Sequence, residues 1–201
     1  MKYYDILIVG AGPVGLFTVF EAGLLGLKCA LVDALDRPGG QCTELYPEKP
    51  IYDIPGVPVQ TAQQHVDALL DQIKPFDYDL YLDNEITDIS VPDTNKEFVV
   101  TFLNHEKVIA RTIFMASGGG KFFPKKPNIK NLDIYEKSGF VNYSLKNIES
   151  LKDKDVIIFG AGDSALDWCL LLNENNIPKN LTLVHRTGKF RAAPHSVETL
   201  M

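Results

Sequence analysis

Two short glycine-rich loops restrict this chain more than any other feature. The first, Gly10-Ala11-Gly12-Pro13-Val14-Gly15, follows the apolar run Tyr4-Asp5-Ile6-Leu7-Ile8-Val9. The second, Gly160-Ala161-Gly162-Asp163-Ser164-Ala165, follows Val156-Ile157-Ile158-Phe159. In such a loop the first glycine permits a tight turn, and the second lets the backbone approach an anion. The third position must be small so that the next helix packs closely on the strand. That helix then aims its unpaired N–H groups and positive dipole end at the anion. A single G-x-G-x-x-G is a weak signal, but two in strand–loop–helix context predict two dinucleotide sites.

The strands that follow the loops distinguish the two sites. After the first loop, a helix over residues 13–25 starts with Pro13, whose missing N–H is harmless in the first turn. A strand over 28–32 then leads to Asp33, about 20 residues beyond the loop, where a ribose hydroxyl would find a carboxylate acceptor. In the second loop Ala165 takes the small third position. The strand Leu181-Thr182-Leu183-Val184 ends in His185-Arg186, with Lys189 and Arg191 close behind. Cations there accommodate a 2′-phosphate, and arginine forks match phosphate oxygens in pairs. Gly10, Gly12, Pro13, Gly15 and Asp33 thus form an FAD-type set. Gly160, Gly162, Asp163, Ser164, His185, Arg186 and Arg191 form an NADP-type set. A solvated basic turn is the alternative for the second cluster. The expected fold is α/β: two Rossmann-like domains of parallel sheet and helices with a small antiparallel layer, the second domain incomplete. The division is expected at 1–117 and 118–201.

Composition excludes several classes. With 201 residues and 45% hydrophobic content the chain can bury an ordinary core. Its net charge of −6 offers nothing to nucleic acid or an anionic membrane. No stretch is apolar for long enough to span a bilayer, and the chain starts straight into a strand. Cys29, Cys42 and Cys169 are odd in number and widely spaced, which suits neither a disulfide framework nor a metal cluster and fits a reducing cytoplasm. His65 and His105 have no neighbouring ligand set, and Trp168 and Cys169 read as core.

Between the loops, residues 61–73 carry Val66, Leu69, Leu70 and Ile73 on one helical face, with Thr61 as a cap. Residues 78–82, 85–91, 98–103 and 108–115 read as strands, some of them antiparallel. The last strand runs into Ala116-Ser117-Gly118-Gly119-Gly120, which suits either close approach to a cofactor or a hinge. Residues 121–131, rich in Lys, Pro and Asn, read as a connector.

Residues 37–58 form a long segment without an evident helix or strand of its own, a type that is usually functional. Gly39 and Gly40 can bring backbone against a flat ring, Gln41 can bond its polar edge, and Tyr46 or Tyr52 can stack on it. Gly39-Gly40-Gln41, Leu45-Tyr46-Pro47-Glu48-Lys49 and Ile51-Tyr52-Asp53 resemble the flavin segment of ferredoxin–NADP reductases of the thioredoxin-reductase-like type. Gly162-Asp163-Ser164-Ala165-Leu166-Asp167-Trp168, and His185-Arg186 through Phe190-Arg191-Ala192, resemble the same family's NADP segment.

The resemblance implies that Asp33 holds the FAD ribose, Gln41 contacts the isoalloxazine and Tyr46 stacks on it. Gly40 and Leu45 fall in the same flavin segment, and Ile86 and Phe122 fall where the family contacts the flavin. It implies hydride transfer from NADPH to FAD, then single electrons to ferredoxin or flavodoxin, in a cytoplasmic homodimer. No catalytic acid or base is assigned, because the cofactor carries the chemistry. Thioredoxin reductases proper carry a Cys-x-x-Cys pair before the second loop. Here Phe140-Val141-Asn142-Tyr143-Ser144-Leu145-Lys146 holds no cysteine, so disulfide exchange by that route is excluded. The resemblance covers roughly the first three-fifths of such an enzyme, which predicts a fragment. Two alternatives stay open: a thiol-independent flavin reductase of another acceptor, and a flavin-binding module without turnover.

Overall fold

The structure, a computed structural model, describes residues 1–91, 97–120, 124–145 and 147–201. It divides into two compact units, Met1–Ser144 and Leu145–Met201.

The first unit begins with the predicted strand–helix–strand: β1 (Lys2–Val9), α1 (Pro13–Leu24) and β2 (Cys29–Val32). The segment after Asp33 holds short elements that its sequence did not announce: α2 (Gln41–Leu45), β3 (Pro50–Ile51) and β4 (Gln60–Thr61). Next come α3 (Ala62–Ile73), β5 (Tyr78–Tyr81), β6 (Ile86–Ser90), β7 (Phe98–Phe102), β8 (Lys107–Met115) and α4 (Leu132–Lys137). Thr61 caps α3 as expected. Its hydroxyl accepts from the Gln64 N–H at 3.1 Å, while the Thr61 N–H donates to Gln64 Oε1 at 2.8 Å, a reciprocal box that satisfies two helix-end donors.

The six-stranded sheet runs β5-β2-β1-β8-β7-β6. β1 pairs in parallel with β2 and β8, and β2 with β5. β8 is long enough to serve two partners: along its first half, Lys107 to Ala110, it also pairs antiparallel with β7. The antiparallel strands are thus a continuation of the parallel sheet. Their inner residues Val100, Phe102, Val108 and Ala110 pack on Tyr4, Leu7, Ala30 and Val32. The opposite face is covered by helices, where Leu16, Val19 and Ala22 of α1 and Val66 and Ile73 of α3 meet Ile8 and Leu31. Tyr4 is fully buried. Its hydroxyl is satisfied by the Asp79 carboxylate and, at 2.8 Å, the Tyr81 hydroxyl, as a polar group removed from water requires.

The second unit contains β9 (Asp155–Phe159), α5 (Asp163–Glu174), β10 (Asn180–Val184) and α6 (Pro194–Leu200). β9 and β10 pair in parallel, with Leu181 opposite Val156 and Leu183 opposite Ile158. Leu166, Cys169 and Leu172 of α5 are buried, so Cys169 is core as read. α6 lies in residues for which sequence spacing gives no element.

Candidate functional site

The first unit carries a cleft of about 790 Å³ at the carboxyl ends of β1, β2 and β8, the edge where open α/β sheets bind ligands. The turn is held by backbone bonds: Gly10 N–H to Val32 O at 2.8 Å and Ala116 N–H to Val9 O at 2.7 Å. The three glycines of the loop have different neighbours. A Cβ on Gly10, whose φ is +105°, would lie 2.5 Å from the Ala116 carbonyl oxygen. One on Gly15 would fall on the Gly10 carbonyl oxygen. One on Gly12 would meet nothing nearer than the Gly40 Cα at 3.9 Å. Gly10 and Gly15 are therefore glycines of the fold, whereas Gly12 keeps the cleft floor open. No side chain caps α1 at Gly12, which leaves its first-turn N–H groups facing the cleft mouth.

Asp33 lies beside the loop, just after β2. Its Oδ2 accepts the Ala11 N–H at 2.6 Å and its Oδ1 the Leu35 N–H at 2.8 Å. Both oxygens retain a further acceptor position, so the carboxylate braces the loop and still offers sites to hydroxyl donors. The α2 segment closes the other side. The Gly39 N–H reaches the Ala11 carbonyl at 2.8 Å. The buried Thr43 donates its hydroxyl to the Pro38 carbonyl at 3.1 Å, and Arg37 donates to the Thr43 carbonyl at 3.0 Å. This local bonding sets Gln41, Leu45 and Tyr46 on the cleft wall. Tyr46 is half-buried, and that burial raises its phenol pKa. Lys49 Nζ lies 5.6 Å from the ring centroid. Tyr52, the other stacking candidate, is 70% exposed and lies off the cleft.

Gly10, Gly12, Pro13, Asp33, Gly40, Gln41, Leu45, Tyr46 and Ile86 all line this cleft, together with residues 116–120. Gly15 does not. Phe122 lies outside the described residues. Sequence reasoning missed Asn84, a buried polar residue whose N–H donates to the Asp33 carbonyl at 3.0 Å. It reaches the wall through Asp83, whose φ of +50° turns the chain after β5; an Asp-Asn pair after a strand was the available signal.

A second cleft, about 590 Å³, lies wholly within the second unit. Gly160, Ala161 and Gly162 form one wall, and Val184, His185, Arg186, Thr187, Lys189 and Arg191 form the other. A Cβ at Gly160 would stand 2.8 Å from that of Ala165, which is why the third position must be small, whereas one at Gly162 would meet nothing within 4 Å. The His185 ring packs on Phe190 at 4.9 Å between centroids. Asp163 and Ser164, expected as nucleotide contacts, do not line this cleft. Asp163 Oδ1 instead accepts the Ala193 N–H at 2.8 Å.

The two clefts have opposite chemistry, a carboxylate in one and a run of cations in the other. One thiol, Cys42, lines the first cleft. Burial pushes the Cys42 and Cys169 thiols up in pKa, which favours the unreactive protonated form. Cys42 packs against the first unit's core. Among the described residues no helix is long and apolar enough to cross a membrane.

Comparison with known proteins agrees with this geometry. A ferredoxin–NADP reductase of Rhodopseudomonas palustris (strain BisB18) is 50% identical over 196 residues, covering 98% of this chain and 56% of that protein. One from Mesorhizobium japonicum is 51% identical over 197 residues, with the same coverage. The chain thus spans just over half the length of these relatives. In fold it is similar to the thioredoxin reductase of Lactococcus lactis in its FR conformation, with a TM-score of 0.75 at 19% identity over 98% of this chain and 60% of the other. The thioredoxin reductase of T. acidophilum gives 0.76 at 18% identity over 100% and 62%. Residues 4–201 match the family model for pyridine nucleotide-disulphide oxidoreductases. With both glycine loops built and both clefts formed around them, the chain belongs to the pyridine nucleotide-disulphide oxidoreductase family.

Proposed function

We propose that this chain is the nucleotide-binding part of a flavoprotein reductase that holds FAD in the first cleft and NADPH in the second, and that delivers electrons to ferredoxin or flavodoxin. The observation that carries the reading is the contrast between the clefts: Asp33 faces one, and Arg186 and Arg191 face the other. The names and near 50% identity of the relatives support the acceptor.

The residues present suit both groups. In the first cleft, the open Gly12 floor and the uncapped α1 would receive a pyrophosphate, and Asp33 would accept ribose hydroxyls. Gln41, Leu45, Tyr46, Ile86 and the small residues 116–120 would line the flat ring. Phe122 belongs to this proposed set by resemblance alone. In the second cleft, the open face of Gly162 would meet the pyrophosphate, while His185, Arg186 and Arg191 would take the adenosine 2′-phosphate; Ser164 belongs to this proposed set by resemblance alone. A bound flavin supplies the redox chemistry, accepting a hydride equivalent from the nicotinamide and releasing electrons singly. The protein's own task is then to bind, orient and exclude water, and no side chain needs to act as general acid or base.

The test is to load the full-length protein with FAD, add NADPH without oxygen, and follow the flavin absorbance before and after adding ferredoxin. Bleaching by NADPH and recovery on adding oxidised ferredoxin are expected. A protein that takes up no flavin would overturn the reading. One that bleaches but is not reoxidised by ferredoxin or flavodoxin would overturn the acceptor alone.

A further inference from the structure

The hydrogen bond between Asp163 and the Ala193 N–H has no part in the function just proposed. Asp163 follows Gly162 directly, at the start of α5, where a neighbouring anion would be repelled by a carboxylate. Its side chain turns away from the cleft and accepts the Ala193 N–H at 2.8 Å. A second bond runs alongside, from the Arg191 N–H to the Ala161 carbonyl at 2.7 Å. Arg191 is thus held on both sides: its own backbone is tied to the glycine loop, and the chain two residues on is tied to the helix that the loop starts. Across the turn, the Thr187 hydroxyl donates to the Lys189 carbonyl at 3.3 Å, and its N–H donates to His185 Nδ1 at 3.3 Å.

We infer that Asp163 is a positioning residue for nucleotide selectivity: by holding Ala193 it keeps Arg191 over the glycine loop, where the guanidinium meets a 2′-phosphate. This rests on the NADP reading of the second cleft. Asp163 touches no nucleotide, so its loss weakens the phosphorylated nucleotide and spares the other. An acid that merely repels the nucleotide would behave oppositely, since its removal would tighten both.

The experiment measures, by calorimetry on the 201-residue chain, binding of adenosine 2′,5′-bisphosphate and of AMP. Asp163→Ala is expected to weaken the bisphosphate about tenfold, the scale of one hydrogen bond to a charged acceptor, and to leave AMP within about twofold. Asp163→Asn keeps an acceptor oxygen and is expected to restore most of the loss. Ala193→Pro removes the donor at a residue whose φ of −55° suits proline. It should reproduce the Asp163→Ala loss, and the double variant should be no worse than either single one. Circular dichroism confirms that each variant is folded. Unchanged or tighter bisphosphate binding in Asp163→Ala overturns the inference. So does an Asn variant as weak as the Ala variant, or a harmless Ala193→Pro. If the unaltered chain does not prefer the bisphosphate, and Arg186→Ala and Arg191→Ala have no effect, the NADP reading itself has failed and takes the brace with it.

Discussion

Replacing Gly15 and Gly12 separately with alanine should split the first loop into its folding part and its binding part. At Gly15 the new methyl would fall on the Gly10 carbonyl oxygen, with the Gly10 carbonyl carbon at 2.9 Å and Leu31 Cδ1 at 3.4 Å. The obstacle is backbone, so no rotamer relieves it. α1 must move off β1 by on the order of 1 Å, which loosens the close packing of Leu16 and Val19 on the sheet. Such overpacking costs about 3 kcal/mol, out of roughly 5–15 for a domain. With a urea slope of about 1–3 kcal/mol/M, the midpoint should fall by about 1–3 M. At Gly12 the methyl meets only the Gly40 Cα at 3.9 Å, and the backbone there, φ −72° and ψ −178°, is one any residue adopts. Stability should change by less than about 0.5 kcal/mol, yet the methyl stands where the pyrophosphate would lie. FAD affinity should fall at least tenfold, about 1.4 kcal/mol. Urea denaturation followed by circular dichroism reads the first effect, and quenching of free FAD fluorescence reads the second. If Gly12→Ala unfolds as readily as Gly15→Ala, or binds FAD as well as the unaltered chain, the division of labour is wrong.

Three further outcomes are expected. Cys29, 2% exposed, has its thiol pKa raised from about 9 to about 11, chiefly by burial and then by Asp77 and Asp79. The unfolded thiol ionises first as pH rises, so stability present below about pH 9 is lost up to about pH 11, by about 2–3 kcal/mol. Cys29→Ala should lose correspondingly less in urea midpoints across that range, and an equal loss would refute it. Thr61→Ala removes the α3 capping box and should cost about 1 kcal/mol in the same assay. Gly162→Ala, with nothing within 4 Å of its Cβ, should leave the melting temperature unchanged and weaken NADP binding; a large loss of stability would contradict it.

Much of this was legible because local chemistry and tertiary structure agree. The two glycine loops, the Thr61 cap and the helix after it follow from spacing alone. The position of Asp33 after the second strand points to the cleft that it lines, and its bond to the Ala11 N–H braces the loop. α2 was hidden because it is five residues long and starts at Gly40 with φ +57°. It depends on the Gly39 bond to Ala11 and on the buried Thr43, neither of which leaves a periodic signal. Asp163 was assigned to the nucleotide from its place in the motif. Its hydrogen bond to Ala193 spans thirty residues of the chain, a distance at which sequence pattern carries no information.

An acid and two arginines are proposed to sort two dinucleotides between two clefts. Crossed calorimetry tests this, titrating FAD and NADP into Asp33→Asn and into the paired Arg186→Ala, Arg191→Ala variant. The first change is expected to weaken FAD about tenfold and spare NADP, and the second to do the reverse. A chain in which either change weakens both nucleotides equally, or neither, would contradict it.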